Sequence, residues 1–201
     1  MPQIDFILDF ASPNAYLAHQ LIPSIEAATG ATFNYIPCLL GGIFKATGNQ
    51  APMMANANIP SKMAYEGLEF SRFLTTHNID KFNFNPHFPV NTLLLMRGAI
   101  SAKQQGILAP YVRAGFHHMW EDPKNMADPE VFAAALTASD LDGDALLAAT
   151  QDPAVKAELI ANTEAAVKRG AFGIPTFYIG DEMFFGKERL AQVEAEIVRQ
   201  S

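Results

Sequence analysis

The chain opens with a short apolar stretch that runs directly into a helix signal, and this junction constrains the fold more than any other feature. Residues 3–10, QIDFILDF, are rich in Ile, Leu and Phe, which predicts a buried strand. Ser12 follows as a candidate N-cap, with Pro13 at the first helical position. Apolar residues then recur at helical spacing, and residues 31–40 predict a second strand. The connections of this strand–helix–strand unit are short enough for parallel pairing.

Strands return only at the end of the chain, after a long helical stretch. Residues 41–168 contain much Ala, Met and Leu and little alternation, and three of their helix patterns open on Asp. Within this stretch we expect an irregular loop with a short helix at 42–60, and a helix after Pro60 with Ser61 as a capping candidate. The later stretch GIPTFYIGDEMFFG then predicts a hairpin, and an amphipathic helix closes the chain. The order βαβ, helices, ββα is that of a thioredoxin-like fold.

Composition narrows the classes of function. The chain has 201 residues, 49% of them apolar and 17% charged, so it can bury a large core as one domain or as one domain with an insertion. Lys and Arg do not cluster and the net charge is -7, so nucleic-acid binding is not predicted. The single cysteine, Cys38, allows no intramolecular disulfide and is interpreted as a small buried hydrophobe. With no secretory signal and no membrane-length apolar run, we expect a cytoplasmic protein that does not associate with membranes.

Ser12 stands where many enzymes of this architecture keep a reactive cysteine. A helix start carries partial positive charge and free N–H groups, which favour a thiolate. Here the tetrapeptide is Ser12-Pro13-Asn14-Ala15, so dithiol exchange is excluded. No Ser-His-Asp pattern or Gly-x-Ser-x-Gly elbow supports a serine nucleophile. The remaining chemical role is to donate the O–H to an external thiolate. The alternative is a simple N-cap, which the local pattern alone favours.

Other candidate residues carry weaker signals. The Ile174-Pro175 bond is trans on local statistics, but a cis bond would leave the Ile174 backbone free to pair with an extended peptide. His117 and His118 are adjacent on a predicted helix and do not share a face, so we predict no metal site there. Aspartates near residue 142 are interpreted as helix caps.

Several motifs, taken in order, resemble one family. They are DFASPNAYLA, LLGGIFKATGN, FPVNTLLLMRGA and GAFGIPTFYIGDEMFFGKERL, together with the helical insert. On these the chain resembles the 2-hydroxychromene-2-carboxylate isomerases, which are bacterial relatives of kappa-class glutathione transferases. The resemblance implies an α/β, DsbA-type thioredoxin-like domain formed by residues 1–40 and 170–201. An all-helical domain, 41–169, is inserted between them.

The resemblance also implies glutathione as cofactor and assigns a site. Ser12 is expected to hold the glutathione sulfur as thiolate, and the Ile174-Pro175 pair, cis in the family, is expected to pair with the cysteinyl unit. The remaining expected contacts are Asn49, Lys62 near the glycyl carboxylate, and Lys187 and Glu188 at the γ-glutamyl end.

The implied reaction is cis–trans isomerisation of an aromatic catabolite by reversible thiolate addition, in a homodimer. The chain departs from the family pattern at Asn14, Ala15, Lys187 and Glu188, which leaves the second substrate open. Two alternatives also remain open: a kappa-type glutathione transferase or peroxidase, and a non-catalytic glutathione-binding module. A DsbA-like oxidoreductase is disfavoured because the second cysteine is missing.

Overall fold

A four-stranded sheet joins the two ends of the chain. In a computed structural model, which describes residues 3–200, the strands lie in the order β2-β1-β3-β4. Strand β1 pairs with β2 in parallel and with β3 antiparallel, and β3 pairs with β4 antiparallel. The strands are β1 (Gln3–Leu8), β2 (Thr32–Pro37), β3 (Thr176–Ile179) and β4 (Glu182–Phe185). The predicted βαβ and ββα halves are therefore confirmed.

The central position of β1 explains why the second half of the strand, Phe6 to Leu8, is entirely apolar and buried. A strand that is paired on both edges and covered on both faces buries side chains on both faces, so its polar and apolar residues need not alternate. Phe6 is fully buried, stacks on Phe177 of β3 with ring centroids 5.1 Å apart, and meets Tyr35 of β2 edge-on at 5.0 Å. Side chains from three strands thus form one aromatic layer in the core.

Ten α-helices and a 3-10 turn account for most of the remaining described residues. None of the helices within residues 3–200 has the length and apolarity that crossing a membrane requires. The helices are α1 (Pro13–Thr29), α2 (Leu40–Thr47), α3 (Pro52–Ala55), α4 (Pro60–Thr76), α5 (Leu93–Gln104), α6 (Leu108–Trp120), α7 (Pro129–Thr137), α8 (Gly143–Ala149), α9 (Pro153–Lys168) and α10 (Leu190–Gln200); the 3-10 turn is Lys187–Arg189.

Aspartates cap three consecutive helices, as predicted. Asp128, Asp142 and Asp152 each accept hydrogen bonds from first-turn amides of α7, α8 and α9. Each carboxylate satisfies amides that have no partner within the helix, and its charge complements the helix dipole.

Two local predictions were wrong. The irregular loop with a short helix expected at 42–60 is confirmed after α2, where α3 is the short helix, but residues 42–47 belong to the regular helix α2, because tertiary contacts outweigh its two glycines. One of them, Gly42, lies so close to Thr163 of α9 that a Cβ would sit 3.0 Å from its methyl group. Ser61 does not cap α4, because Pro60 occupies the first helical position and Ile59 the cap, without a side-chain hydrogen bond. The division into two domains stays a prediction.

The carboxylate of Asp9, at the end of β1, ties three segments together. It is completely buried and accepts hydrogen bonds from the Ala11 N–H at 2.9 Å, the Leu40 N–H at 2.7 Å and the Thr92 hydroxyl at 2.6 Å. These donors belong to the turn into α1, the first residue of α2 and the residue preceding α5. Desolvation raises the pKa of Asp9, although the three hydrogen bonds act in the opposite direction.

We expect Asp9→Asn to destabilise the protein by about 1–3 kcal/mol, because the new amide group must face the N–H of either Ala11 or Leu40. The measurement is urea unfolding followed by circular dichroism. The matched control is Asp5→Asn on the same strand, where the carboxylate forms a partly exposed ion pair with Arg169. We expect that change to cost less than about 1 kcal/mol.

The same variant tests the sign of the pH dependence. Because burial raises the pKa of Asp9, the folded state binds this proton more tightly than the unfolded chain. The wild type therefore loses free energy of unfolding as pH rises from the ordinary aspartate pKa to the raised one. In Asp9→Asn this component is absent. An unchanged stability and pH profile would show that Asp9 does not hold the three segments.

Candidate active site

Ser12 lies buried at the start of α1 and contacts a distant part of the chain. Its backbone is extended and its Oγ accepts the Ala15 N–H at 3.2 Å, so the predicted N-cap is confirmed. Its hydroxyl also donates to the carbonyl of Ile174 at 3.0 Å, across 162 positions in sequence. The backbone N–H of Ser12 donates to the Asp9 carbonyl at 3.1 Å, which closes the turn between β1 and α1.

The Ile174-Pro175 peptide bond is cis, as the resemblance implied and against the local statistics. The carbonyl of Pro175 accepts the N–H of Gly186 at 3.0 Å, so the residues before β3 and after β4 are joined. The Ile174 carbonyl, which we expected to be free for an extended peptide, is occupied by the Ser12 hydroxyl. A peptide that uses this carbonyl must therefore either take its second lone pair or displace Ser12.

The first turn of α1 leaves one backbone donor and one side-chain acceptor unused. Pro13 has no N–H and the Ala15 N–H is capped by Ser12, so the Asn14 N–H is the donor left at this helix start. The Oδ1 of Asn14 is buried without a hydrogen-bond partner. Such an unsatisfied acceptor costs free energy unless a ligand or water pairs with it.

Asn49 and Lys62 occupy different surroundings. The side-chain amide of Asn49, just after α2, donates to the carbonyl of Phe172 at 2.8 Å. This contact places Asn49 beside the segment that leads to Ile174. Lys62, in the first turn of α4, donates instead to Asn56 at 2.9 Å, and this bond does not connect it to the Phe172 segment.

Lys187 and Glu188 follow Gly186 and differ in exposure. Lys187 is only 5% exposed, and its ammonium lies 5.0 Å from the ring centroid of Phe73 and 5.8 Å from that of Phe70, both in α4. It also contacts the Glu188 carboxylate. The side chain of Glu188 is 57% exposed. Glu188 is therefore accessible to a ligand, whereas Lys187 holds α4 against the 3-10 turn through cation–π contacts.

Ser12 is placed to donate a hydrogen bond and not to attack. Its described partners are the Ile174 carbonyl and the Ala15 N–H, and neither can take its proton as a base. An anion at this point would meet the hydroxyl, the free N–H of Asn14 and the positive end of the α1 dipole. The arrangement suits a thiolate supplied from outside.

Burial keeps both Cys38 and His19 uncharged near pH 7. Burial raises the pKa of Cys38 to about 12, so the one cysteine is an inert thiol, as predicted. Burial also lowers the pKa of His19 to about 4, so this histidine is neutral near pH 7. It pairs with the Tyr35 hydroxyl at 2.8 Å.

Sequence reasoning missed two residues of the site. Asp9 was treated only as part of a strand, although an acidic residue that ends an apolar strand next to the Ser12 turn is itself a signal. Asn14 was treated as a departure from the family pattern, and only the structure reveals that its Oδ1 is buried and unpaired.

Known proteins resemble the chain over nearly its whole length. Residues 3–198 match the family described as DSBA-like thioredoxin domain. A 2-hydroxychromene-2-carboxylate isomerase from Pseudomonas sp. (strain C18) is 30% identical, over 95% of this chain and 88% of that protein. The rat glutathione S-transferase kappa 1 is 28% identical, over 93% of this chain and 87% of its own.

A solved structure agrees with these relatives. A structure of a 2-hydroxychromene-2-carboxylate isomerase superposes with a TM-score of 0.84 at 27% identity, covering 98% of this chain and 95% of that one. The fold, the order of elements and the sequence matches point to the same group. The chain therefore belongs to the DSBA-like thioredoxin-domain family and, within it, to the enzymes of the 2-hydroxychromene-2-carboxylate isomerase group.

Proposed function

We propose that the protein is a glutathione-dependent cis–trans isomerase that converts 2-hydroxychromene-2-carboxylate to trans-o-hydroxybenzylidenepyruvate or acts on a close analogue. The observation that carries the proposal is the placement of the Ser12 hydroxyl at the start of α1, bonded to the Ile174 carbonyl. In this role Ser12 is the catalytic residue, and the sulfur it steadies belongs to glutathione.

Binding and activation are coupled through one hydroxyl proton. The Ser12 O–H can donate to only one acceptor, and in the free protein that acceptor is the Ile174 carbonyl. When the cysteinyl N–H of glutathione donates to this carbonyl by strand addition, the carbonyl keeps a partner without the hydroxyl, which is then free to change its acceptor. The hydroxyl then turns to the sulfur, and this charge-assisted bond is roughly twice as strong as the neutral bond it replaces.

The stabilised thiolate then performs nucleophilic catalysis. The hemiketal ring of the substrate first opens: the bond between C2 and the aryl oxygen breaks, the C2 hydroxyl loses its proton and becomes a keto group, and the aryl oxygen takes up a proton. The sulfur then adds to the C=C conjugated with this keto group, forming a C–S bond while the π electrons move to the keto oxygen as an enolate. Rotation follows about the resulting single bond. Collapse of the enolate expels the sulfur, restores the double bond in the trans form and regenerates glutathione. Polar side chains that stabilise the enolate lower the barrier.

The remaining contacts hold the two ends of the tripeptide. Asn49 lies beside the Phe172 carbonyl, near the bound cysteinyl unit. Glu188, exposed at the 3-10 turn, pairs with the α-ammonium of the γ-glutamyl unit, and Lys187 supports this turn from beneath. Lys62 reaches the glycyl carboxylate after it releases Asn56.

A kappa-type glutathione transferase is the second candidate, favoured by the similarity to the rat kappa enzyme. The two functions differ in the fate of glutathione. Conjugation of chlorodinitrobenzene consumes it stoichiometrically, whereas isomerisation returns it unchanged. We also propose that the enzyme works as a cytoplasmic homodimer, as the family resemblance implies.

We expect Ser12→Ala to abolish glutathione-dependent isomerisation, followed by absorbance, because the sulfur loses its donor. The lost cap should cost only about 0.5–2 kcal/mol of stability. The matched control is Asp128→Ala, which removes the cap of α7 outside the site. It should lose similar stability and keep full activity. Wild-type turnover by Ser12→Ala would refute the catalytic role of Ser12.

We expect Glu188→Gln to weaken glutathione binding about tenfold, because the α-ammonium loses a charged partner. Isothermal titration calorimetry measures the dissociation constant, and kcat at saturating glutathione should stay near the wild-type value. Glu130→Gln, an exposed change in α7, serves as the control and should bind normally. Equal affinity in both variants would remove Glu188 from the site.

A further inference from the structure

The end of α6 brings together three metal-ligating side chains that the proposed function does not use. The N–H groups of Glu121 and Asp122 both donate to the His117 carbonyl at 2.9 Å, so the chain folds back where α6 ends. As a result, one ligand atom each from His117, His118 and Asp122 lie within 4.8 Å of one another. The two imidazole centroids are 4.7 Å apart. The sequence argument against a joint site considered only the faces of a straight helix.

The orientation of His117 is fixed by a carboxylate. Its Nδ1 lies 3.0 Å from Oε2 of Glu121, and Oε1 of Glu121 accepts the Tyr16 hydroxyl at 3.1 Å. Because a carboxylate only accepts, Nδ1 carries the hydrogen and the lone pair remains on Nε2. Metal-binding histidines characteristically have the other ring nitrogen held by a carboxylate in this way.

The orientation of His118 leaves a buried nitrogen without a partner. The residue is 4% exposed, and its Nε2 lies 2.9 Å from the Ser139 hydroxyl, which can accept a hydrogen. Its Nδ1 is buried and has no hydrogen-bond partner. The Ala135 carbonyl also lies near the ring and favours its protonated form, so a metal ion at His118 competes with a proton. A buried unpaired nitrogen of this kind needs an explanation, and a metal ion supplies one.

We propose that Nε2 of His117, Nδ1 of His118 and the carboxylate of Asp122 form a binding site for a divalent first-row transition metal, with Zn²⁺ the best match. Two imidazoles and one carboxylate suit zinc, whereas Mg²⁺ and Ca²⁺ require mainly oxygen ligands. Three protein ligands leave the fourth tetrahedral position for water or an anionic ligand. His117 and Ser139 border a groove of about 920 Å³ between α1, β2 and α6.

Metal binding requires only side-chain movement. Ligand atoms of a tetrahedral zinc site lie about 3.3–3.5 Å apart, as follows from the usual zinc–ligand lengths. The ligand atoms here lie within 4.8 Å of one another, so the widest pair must close by up to about 1.5 Å. The side chains of His117 and Asp122 are 43% and 64% exposed and can make this change. Asp122 now contacts the ammonium of Lys124, which therefore competes with the metal for the carboxylate.

The test is calorimetric titration of the chelator-treated full chain with ZnCl₂, with Co²⁺ absorption as a second measurement. We expect one equivalent to bind, and Co²⁺ to give the visible bands of a tetrahedral site. His117→Ala and Asp122→Asn should each weaken Zn²⁺ binding at least tenfold. Lys124→Ala should tighten it several-fold, because the competing cation is removed. His87→Ala, an exposed histidine outside the cluster, should bind Zn²⁺ as the wild type does.

Two results would overturn the proposal: no uptake of Zn²⁺ by the wild type, or binding that neither His117→Ala nor Asp122→Asn weakens. Both substitutions are at partly exposed positions, and circular dichroism checks that the variants are folded. Zn²⁺ binding by Ser12→Ala should equal that of the wild type, since the metal site does not depend on the glutathione proposal.

Discussion

The buried carboxylate of Asp9 is the interaction on which the site depends. Water does not reach this carboxylate, so its charge is stabilised only by the three donors that converge on it. Those donors fix the turn into α1, the start of α2 and the start of α5. The Asp9 carbonyl also holds the Ser12 N–H, so the same residue sets where α1 begins. A single buried group thereby positions Ser12 and the helices around it.

Around this anchor the site is built from backbone more than from side chains. The Ile174 carbonyl receives the Ser12 hydroxyl, the Pro175 carbonyl receives the Gly186 N–H, and the Phe172 carbonyl receives the Asn49 amide. A site of this construction recognises a peptide backbone well and offers no strong base. This construction supports the proposal that the nucleophile arrives with the ligand, because the protein would then only need to orient the sulfur and stabilise its charge.

Sequence and structure agree best where local patterns are strong. The apolar run of β1, the Ser12-Pro13 helix start and the Asp-initiated helices α7 to α9 were all predictable, because propensity and capping act within a few residues. The predictions failed at α2 and at Ser61. In α2, contacts with α9 outweigh the low helix propensity of two glycines. At α4, the proline at the first helical position fixes where the helix begins. Asn14 and the His117–Asp122 cluster escaped notice because their significance depends on burial and on a turn of the chain.

The sequence by itself determined that a serine stands at the position where thiol chemistry would require a cysteine. It also determined that strands from the two ends of the chain enclose a helical segment. These properties follow from residue identity and periodicity, which need no knowledge of distant contacts. Only the tertiary structure decided that Ser12 donates to a carbonyl 162 residues away, that Lys187 is buried against α4, and that two histidines converge with Asp122. The first two depend on how segments far apart in the chain pack against one another, which is set by the packing of the whole core. The third depends on how the chain folds back at the end of α6.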